Sequence, residues 1–187
     1  MKQLPGNSRT ARRLIAAGLL AAVAGLSLTY LTAAGAQTTA AATPRCHTRS
    51  LAVWLGVGGG GGQAGSSSYP LELTNVSAQR CQLYGYPGVS AQVAGRRVGS
   101  PAGRDPAVAA ATVTLAPGAT AHAALQIVDV AALPGCKPVA ADGLKVYPPG
   151  AVTPAEVPFR FRACSAVGPR FLSVQVVQPR VGVPGHP

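Results

Sequence analysis

The sequence predicts an all-β protein, an immunoglobulin-like β-sandwich of about eight or nine short strands stapled by disulfides, and three observations carry that prediction. Apolar residues recur with period two through most of the chain, as they do in a sheet with one buried face. Glycine (23 residues) and proline (17) punctuate the 187-residue sequence, with turn signals roughly every 8 to 12 residues. Four cysteines, an even set, all lie beyond an export-like N-terminus. A jelly roll is the alternative topology.

Residues 1–36 have the three parts of a secretory signal peptide: basic residues within Lys2 to Arg13, an apolar run from Leu14 to Leu31, and the small residues Ala34-Gly35-Ala36. Cleavage is expected before Gln37. The apolar run approaches the roughly 18 residues that cross a bilayer, so an uncleaved anchor is the competing reading. Residues 37–45 read as a Thr/Ala/Pro linker, 46–178 as the sandwich domain and 179–187 as a flexible Pro/Gly tail.

Inside the domain, Leu51, Val53, Leu55 and Val57 alternate with Ala52, Trp54 and Gly56, a strand with one face buried. The glycines from Gly58 to Gly62 and the residues that follow, to Ser68, read as a flexible connection. They lack the Gly-Lys-Ser/Thr ending and the helix that a phosphate loop requires. Leu71 and Leu73 point to one face, Glu72 and Thr74 to the other, and Asn75 to Gln79 turns the chain into Cys81 and Leu83. Asn75-Val76-Ser77 matches a glycosylation acceptor by pattern and is read as turn chemistry. Val89 to Val93 and Arg97-Val98 form a hairpin around Ala94-Gly95-Arg96, and Pro101 to Pro106 is loop. Val113 and Leu115 lead into a Pro117-Gly118 turn. Ala121, Ala123, Leu125 and Ile127 then face inward, with His122, Ala124 and Gln126 outward. Leu144 to Tyr147, Val157 to Phe161 and Phe171 to Val177 complete the set.

Cys46, Cys81, Cys136 and Cys164 are expected to form disulfides, and three pairings exist. Joining Cys46 to Cys81 and Cys136 to Cys164 is favoured, because each ties a strand start to a nearby strand and the bridges do not cross. Zinc is disfavoured, since no two cysteines have the close spacing of a metal knuckle.

Catalytic machinery is not visible, and no enzyme activity, cofactor or metal is expected. Glu72, Asp105, Asp129, Asp142 and Glu156 form no pair at recognisable spacing, which removes the materials for glycoside hydrolysis or a calcium loop. Ser66, Ser67 and Ser68 lie outside any Gly-Xaa-Ser-Xaa-Gly elbow. His47, His122 and His186 are scattered. Surface remains. Trp54, Tyr84 and Tyr86, with Tyr69, Arg80, Arg96 and Arg97, are candidates for an aromatic and basic ligand surface, while the favoured reading of Trp54 and Tyr86 is as core and corner rings that hold two sheets together.

The net charge is +11, with 16 lysines and arginines against five acids; four of those cations lie in the signal, which leaves 12 and a mature charge of about +7. That balance favours anionic partners, here an anionic cell-wall polymer or an envelope protein. Nucleic acid is not expected, because the basic residues are dispersed and the chain is exported. A membrane is a partner only if the signal stays uncleaved. The function expected is a secreted or cell-envelope-associated binding module; the alternative is a structural or adhesion protein that pairs through a strand edge.

Four segments carry a family resemblance: Leu71-Glu72-Leu73-Thr74-Asn75, Cys81-Gln82-Leu83-Tyr84-Gly85-Tyr86-Pro87-Gly88-Val89, Leu115-Ala116-Pro117-Gly118-Ala119 and Leu144-Lys145-Val146-Tyr147-Pro148-Pro149. Together they resemble domain of unknown function 4232, a family mainly of exported actinobacterial proteins. The resemblance spans about Cys46 to Val177 and implies an extracytoplasmic sandwich. It supports the two sequential bridges and carries no catalytic residue.

Overall fold

The computed structural model describes residues 42–57 and 61–182. The expected signal peptide, linker residues 37–41, Gly58 to Gly60, and the tail from 183 onward with His186 lie outside the described residues. In chain order the strands are β1 (Leu51–Leu55), β2 (Gly61–Gln63), β3 (Ser66–Asn75), β4 (Cys81–Tyr84), β5 (Gly88–Val93), β6 (Arg96–Val98), β7 (Gly103–Arg104), β8 (Thr112–Leu115), β9 (Thr120–Val128), β10 (Pro138–Tyr147), β11 (Ala155–Cys164), β12 (Leu172–Val174) and β13 (Gln178–Pro179). Single 3-10 turns at Thr48–Ser50 and Val130–Ala132 are the helical elements among the described residues. None is long and apolar enough to cross a membrane.

A seven-stranded sheet runs in the order β1-β3-β9-β12-β7, with β2 added to β3 and β13 to β9; a four-stranded sheet runs β11-β10-β5-β6, and β4 pairs with β8. Leu71, Leu73, Ala121, Ala123 and Leu125 from the first sheet and Val89, Ala91, Leu144, Val146 and Val157 from the second belong to one buried cluster. Two sheets that share one core make the arrangement sandwich-like. Most of the period-two positions read from the sequence fill it; Val57, expected on the buried face of the first strand, lies beyond β1 and is exposed, while Gly56 is buried.

Local chemistry fixes the joints. The β5–β6 hairpin turns at Ala94 and Gly95, both at positive φ (48° and 74°), as a two-residue turn that follows strand twist requires. Asp142 Oδ2 steadies it by accepting the Ala94 N–H at 2.7 Å. Asn75 closes the turn after β3: its amide donates to the carbonyls of Gln79 and Leu115, and its Oδ1 accepts from the N–H and hydroxyl of Ser77. Cys46 bonds to Cys81 and Cys136 to Cys164, across separations of 35 and 28 residues. Closing loops of that length removes about 3.5 to 4 kcal/mol of unfolded-chain entropy each.

Three segments differ from expectation. Gly61–Gln63 and Ser66–Ser68, read as a connection, pair as a hairpin about Ala64-Gly65. Gly103–Arg104, read as loop, lies parallel to β12. The packed chain also continues past 178: Gln178 and Pro179 pair with His122 and Ala121, where β9 has backbone left over beyond β12, and Gly182 is buried. The tail expected from residue 179 is therefore ordered as far as residue 182, because it completes a ladder.

Candidate functional site

The candidate ligand residues occupy three places. Trp54 projects from the outer face of β1, 45% exposed, and is not a core ring. Tyr84 ends β4 at 63% exposure, and Tyr86 is half-buried with the Arg104 guanidinium 5.4 Å from its ring centroid. Arg96 and Arg97 are exposed on β6. Tyr86 precedes the six residues of β5 and Arg96 follows them, so about 20 Å of extended chain separates the two ends. Residues close in sequence are held apart by the strand between them. The structure does not bring Arg96 and Arg97 to the tyrosines, and Trp54 on β1 belongs to a different sheet from β4 and β6.

The tyrosines acquire other arginines. Arg45 forms a bridge to Gln82, the Cys46 N–H donates to the Gln82 carbonyl at 3.0 Å, and the Gln82 N–H donates to Pro44 at 2.9 Å. With the adjacent Cys46–Cys81 bond, these contacts fix the N-terminal segment beside β4. Arg45 and Pro149 consequently line two clefts. One, of about 240 Å³, is shared with Gln82, Tyr84 and Thr112; the other, of about 580 Å³, includes His47, Thr48, Arg49 and Thr153. The Thr48 hydroxyl donates to the Thr153 carbonyl at 2.6 Å and ties the second cleft's walls together.

Both clefts carry positive charge and no carboxylate among their lining residues. Among the described residues one ion pair forms, Lys145 with Glu156 at 3.8 Å, so Arg45 and Arg49 are not neutralised by an acid. Such a concave, single-sign surface attracts anions. Arg45 and Arg49 were absent from the candidates read in the sequence. The signal was their position on either side of Cys46-His47; the bridge to Cys81 carries Arg45 to the cleft that Tyr84 lines.

A third opening of about 540 Å³ lies between the β2–β3 hairpin and β11. Phe159 and Phe161 stack at 5.6 Å and Tyr69 meets Phe159 edge-on at 5.2 Å, closing that end of the core.

The largest departure from the sequence reading is Glu72. Its side chain points away from Leu71 and Leu73 as expected, yet it is 0% exposed. Gly182 donates its N–H to Oε1 at 2.8 Å, and His122 is the cross-strand neighbour on β9. Burial pushes the carboxyl above its ordinary value, while the Gly182 N–H and the nearby His122 pull the other way. Among the described residues no group of three or more His, Cys, Asp or Glu side chains is arranged to hold a metal ion.

Neither the curated proteins nor the solved structures contain a match to this chain. The family profile described as Domain of unknown function (DUF4232) matches residues 46–182, from the first cysteine of the sandwich to the glycine that caps Glu72. That match covers well over half of the sequence and every described strand, and the chain belongs to this family.

Proposed function

We propose that the protein is an exported, non-catalytic binding module at the cell envelope that holds an anionic polymer in the paired clefts around Arg45. The observation that carries this reading is the shared wall: one guanidinium serves two clefts that also hold Arg49, His47 and the exposed ring of Tyr84, with no acid among them. Guanidinium groups hold phosphate or carboxylate through paired N–H donors, and an exposed tyrosine adds a flat apolar contact. Two disulfides fit an oxidising, extracytoplasmic compartment. The edge strand β11 turns Glu156, Pro158, Arg160 and Arg162 outward, and proline and charge on an edge oppose addition of another strand. That favours the clefts over strand pairing as the mode of contact.

The test is retention of the oxidised protein on isolated cell envelope at about 20 and 500 mM salt, conditions that span strong and weak screening. Retention should be lost at high salt, and the Arg45→Glu/Arg49→Glu variant should lose it at low salt while Arg96→Glu/Arg97→Glu keeps it. Equal retention of both variants, or none by the unaltered protein, would sink the reading.

A further inference from the structure

Residues 178–182 return over the outer face of the seven-stranded sheet and end on a carboxylate. After β13 pairs with β9, Arg180 turns the chain at φ 73°, a left-handed value that is costly for a residue with a side chain. Its carbonyl lies 3.0 Å from His122 Nδ1, which donates to it. Two residues later the Gly182 N–H reaches Glu72. The socket admits glycine alone: a Cβ at position 182 would overlap Pro70 Cβ and stand 2.8 Å from His122 Cδ2. Trp54, Glu72 and His122 form a row across β1, β3 and β9, Trp54 paired with Glu72 and Glu72 with His122. Oε2 of Glu72 is buried with no hydrogen-bond partner among the described residues.

A buried carboxylate that accepts the Gly182 N–H is poorly solvated when charged. Protonation removes that cost and leaves the Gly182 bond to Oε1 in place. Lifting the segment returns the carboxylate to water. The covered form therefore takes up a proton more readily than the uncovered one, and linkage requires that protons favour covering. Beside Glu72 the groups that carry or gain charge are His122 on β9 and Arg180 on the covering segment; β1 contributes Trp54, which does not titrate. A cationic His122 favours the charged carboxylate and so tempers the effect.

We propose that residues 180–182 are a latch that a proton on Glu72 closes and whose release uncovers Glu72 and His122 beside the exposed Trp54. Open, the outer face adds a carboxylate, and more of an imidazole, to an indole that is exposed in either form; the closed form withholds the carboxylate. The gate is separate from the Arg45 clefts, and its test does not depend on them.

The Gly182 amide is the reporter. Its hydrogen-exchange protection, corrected for intrinsic rate, would be followed by NMR in the oxidised full chain from pH 4.5 to 8. Protection should fall by up to about tenfold per pH unit while Glu72 ionises, then level off. Glu72→Gln should hold Gly182 protected with no slope. Gly182→Ala should leave the segment open at every pH while the Leu73 and Leu125 amides stay protected. A flat profile in the unaltered chain overturns the proposal. So does a slope that survives Glu72→Gln, which would belong to His122, or a loss of Leu73 and Leu125 protection in step with Gly182, which would make the opening global.

Discussion

β3 and β11 are both ten residues long and carry apolar side chains at alternating positions, yet they sit in different surroundings. β3 lies between β1 and β9, and Pro70, Leu71, Glu72, Leu73 and Asn75 are all buried, so both of its faces are covered. β11 is an edge, with Val157 and Ala163 buried and Glu156, Pro158, Arg160 and Arg162 in water. Alternation tells which residues share a face. Whether the second face meets water depends on other parts of the chain, and for β3 the cover arrives from Gly182, 110 residues later.

The largest separation between the two strands should appear on truncating β3's inner face. Leu73→Ala is expected to cost about 2–5 kcal/mol in urea unfolding, while Arg160→Ala on β11 should stay within about 0.5 kcal/mol. Similar losses from the two variants would break the contrast. A smaller effect is expected where β3 ends: Asn75→Ala strips the buried Leu115 carbonyl and the more exposed Gln79 carbonyl of a donor and should cost about 1–3 kcal/mol in the same measurement, against almost nothing for Ser77→Ala if backbone geometry alone makes the turn. A modest loss for Asn75 and a large one for Ser77 would reverse their roles.

The third expectation concerns pH. Glu72 has a raised carboxyl value in the fold, so the folded chain binds its proton more tightly than the unfolded chain does. Its contribution to stability is present below the ordinary carboxylate value of 4.5 and is lost as pH rises through the raised one. Melting temperature should therefore decline over that interval, and Glu72→Gln should flatten the decline. The same slope of melting temperature with pH in the unaltered chain and in Glu72→Gln would show that β3's outer face is wetter than the structure has it.

Much of the sandwich was legible because its information is local. Period-two runs marked the inner faces of β3 and β9, Ala94-Gly95 marked a hairpin, and an even set of cysteines beyond an apolar leader marked a disulfide framework. The hairpin of β2 and β3 was obscured, since its strands are built from glycine and serine and carry no apolar pattern. The basic clefts were legible only in part. Tyr84 and Tyr86 stood out as aromatics near turns, but their partners Arg45 and Arg104 come from positions that only the Cys46–Cys81 bond and the β7–β12 pairing bring near. Arg96 and Arg97 attracted attention by proximity in sequence, which an intervening strand converts into distance. The latch on Glu72 has no local signature, because the N–H that reaches its Oε1 comes from the far end of the domain.

The bond between Cys46 and Cys81 also has a mechanical meaning. A pull applied between the N-terminal side of Cys46 and the C-terminal end of the domain passes through the sulfur bridge into β4 and onward. Residues 47–80, which include β1, β2 and the whole of β3, form a covalently closed loop off the line of force. A domain tethered through its leading segment would thus hold its most deeply packed strand out of the load, and tension would first test the contacts that follow Cys81.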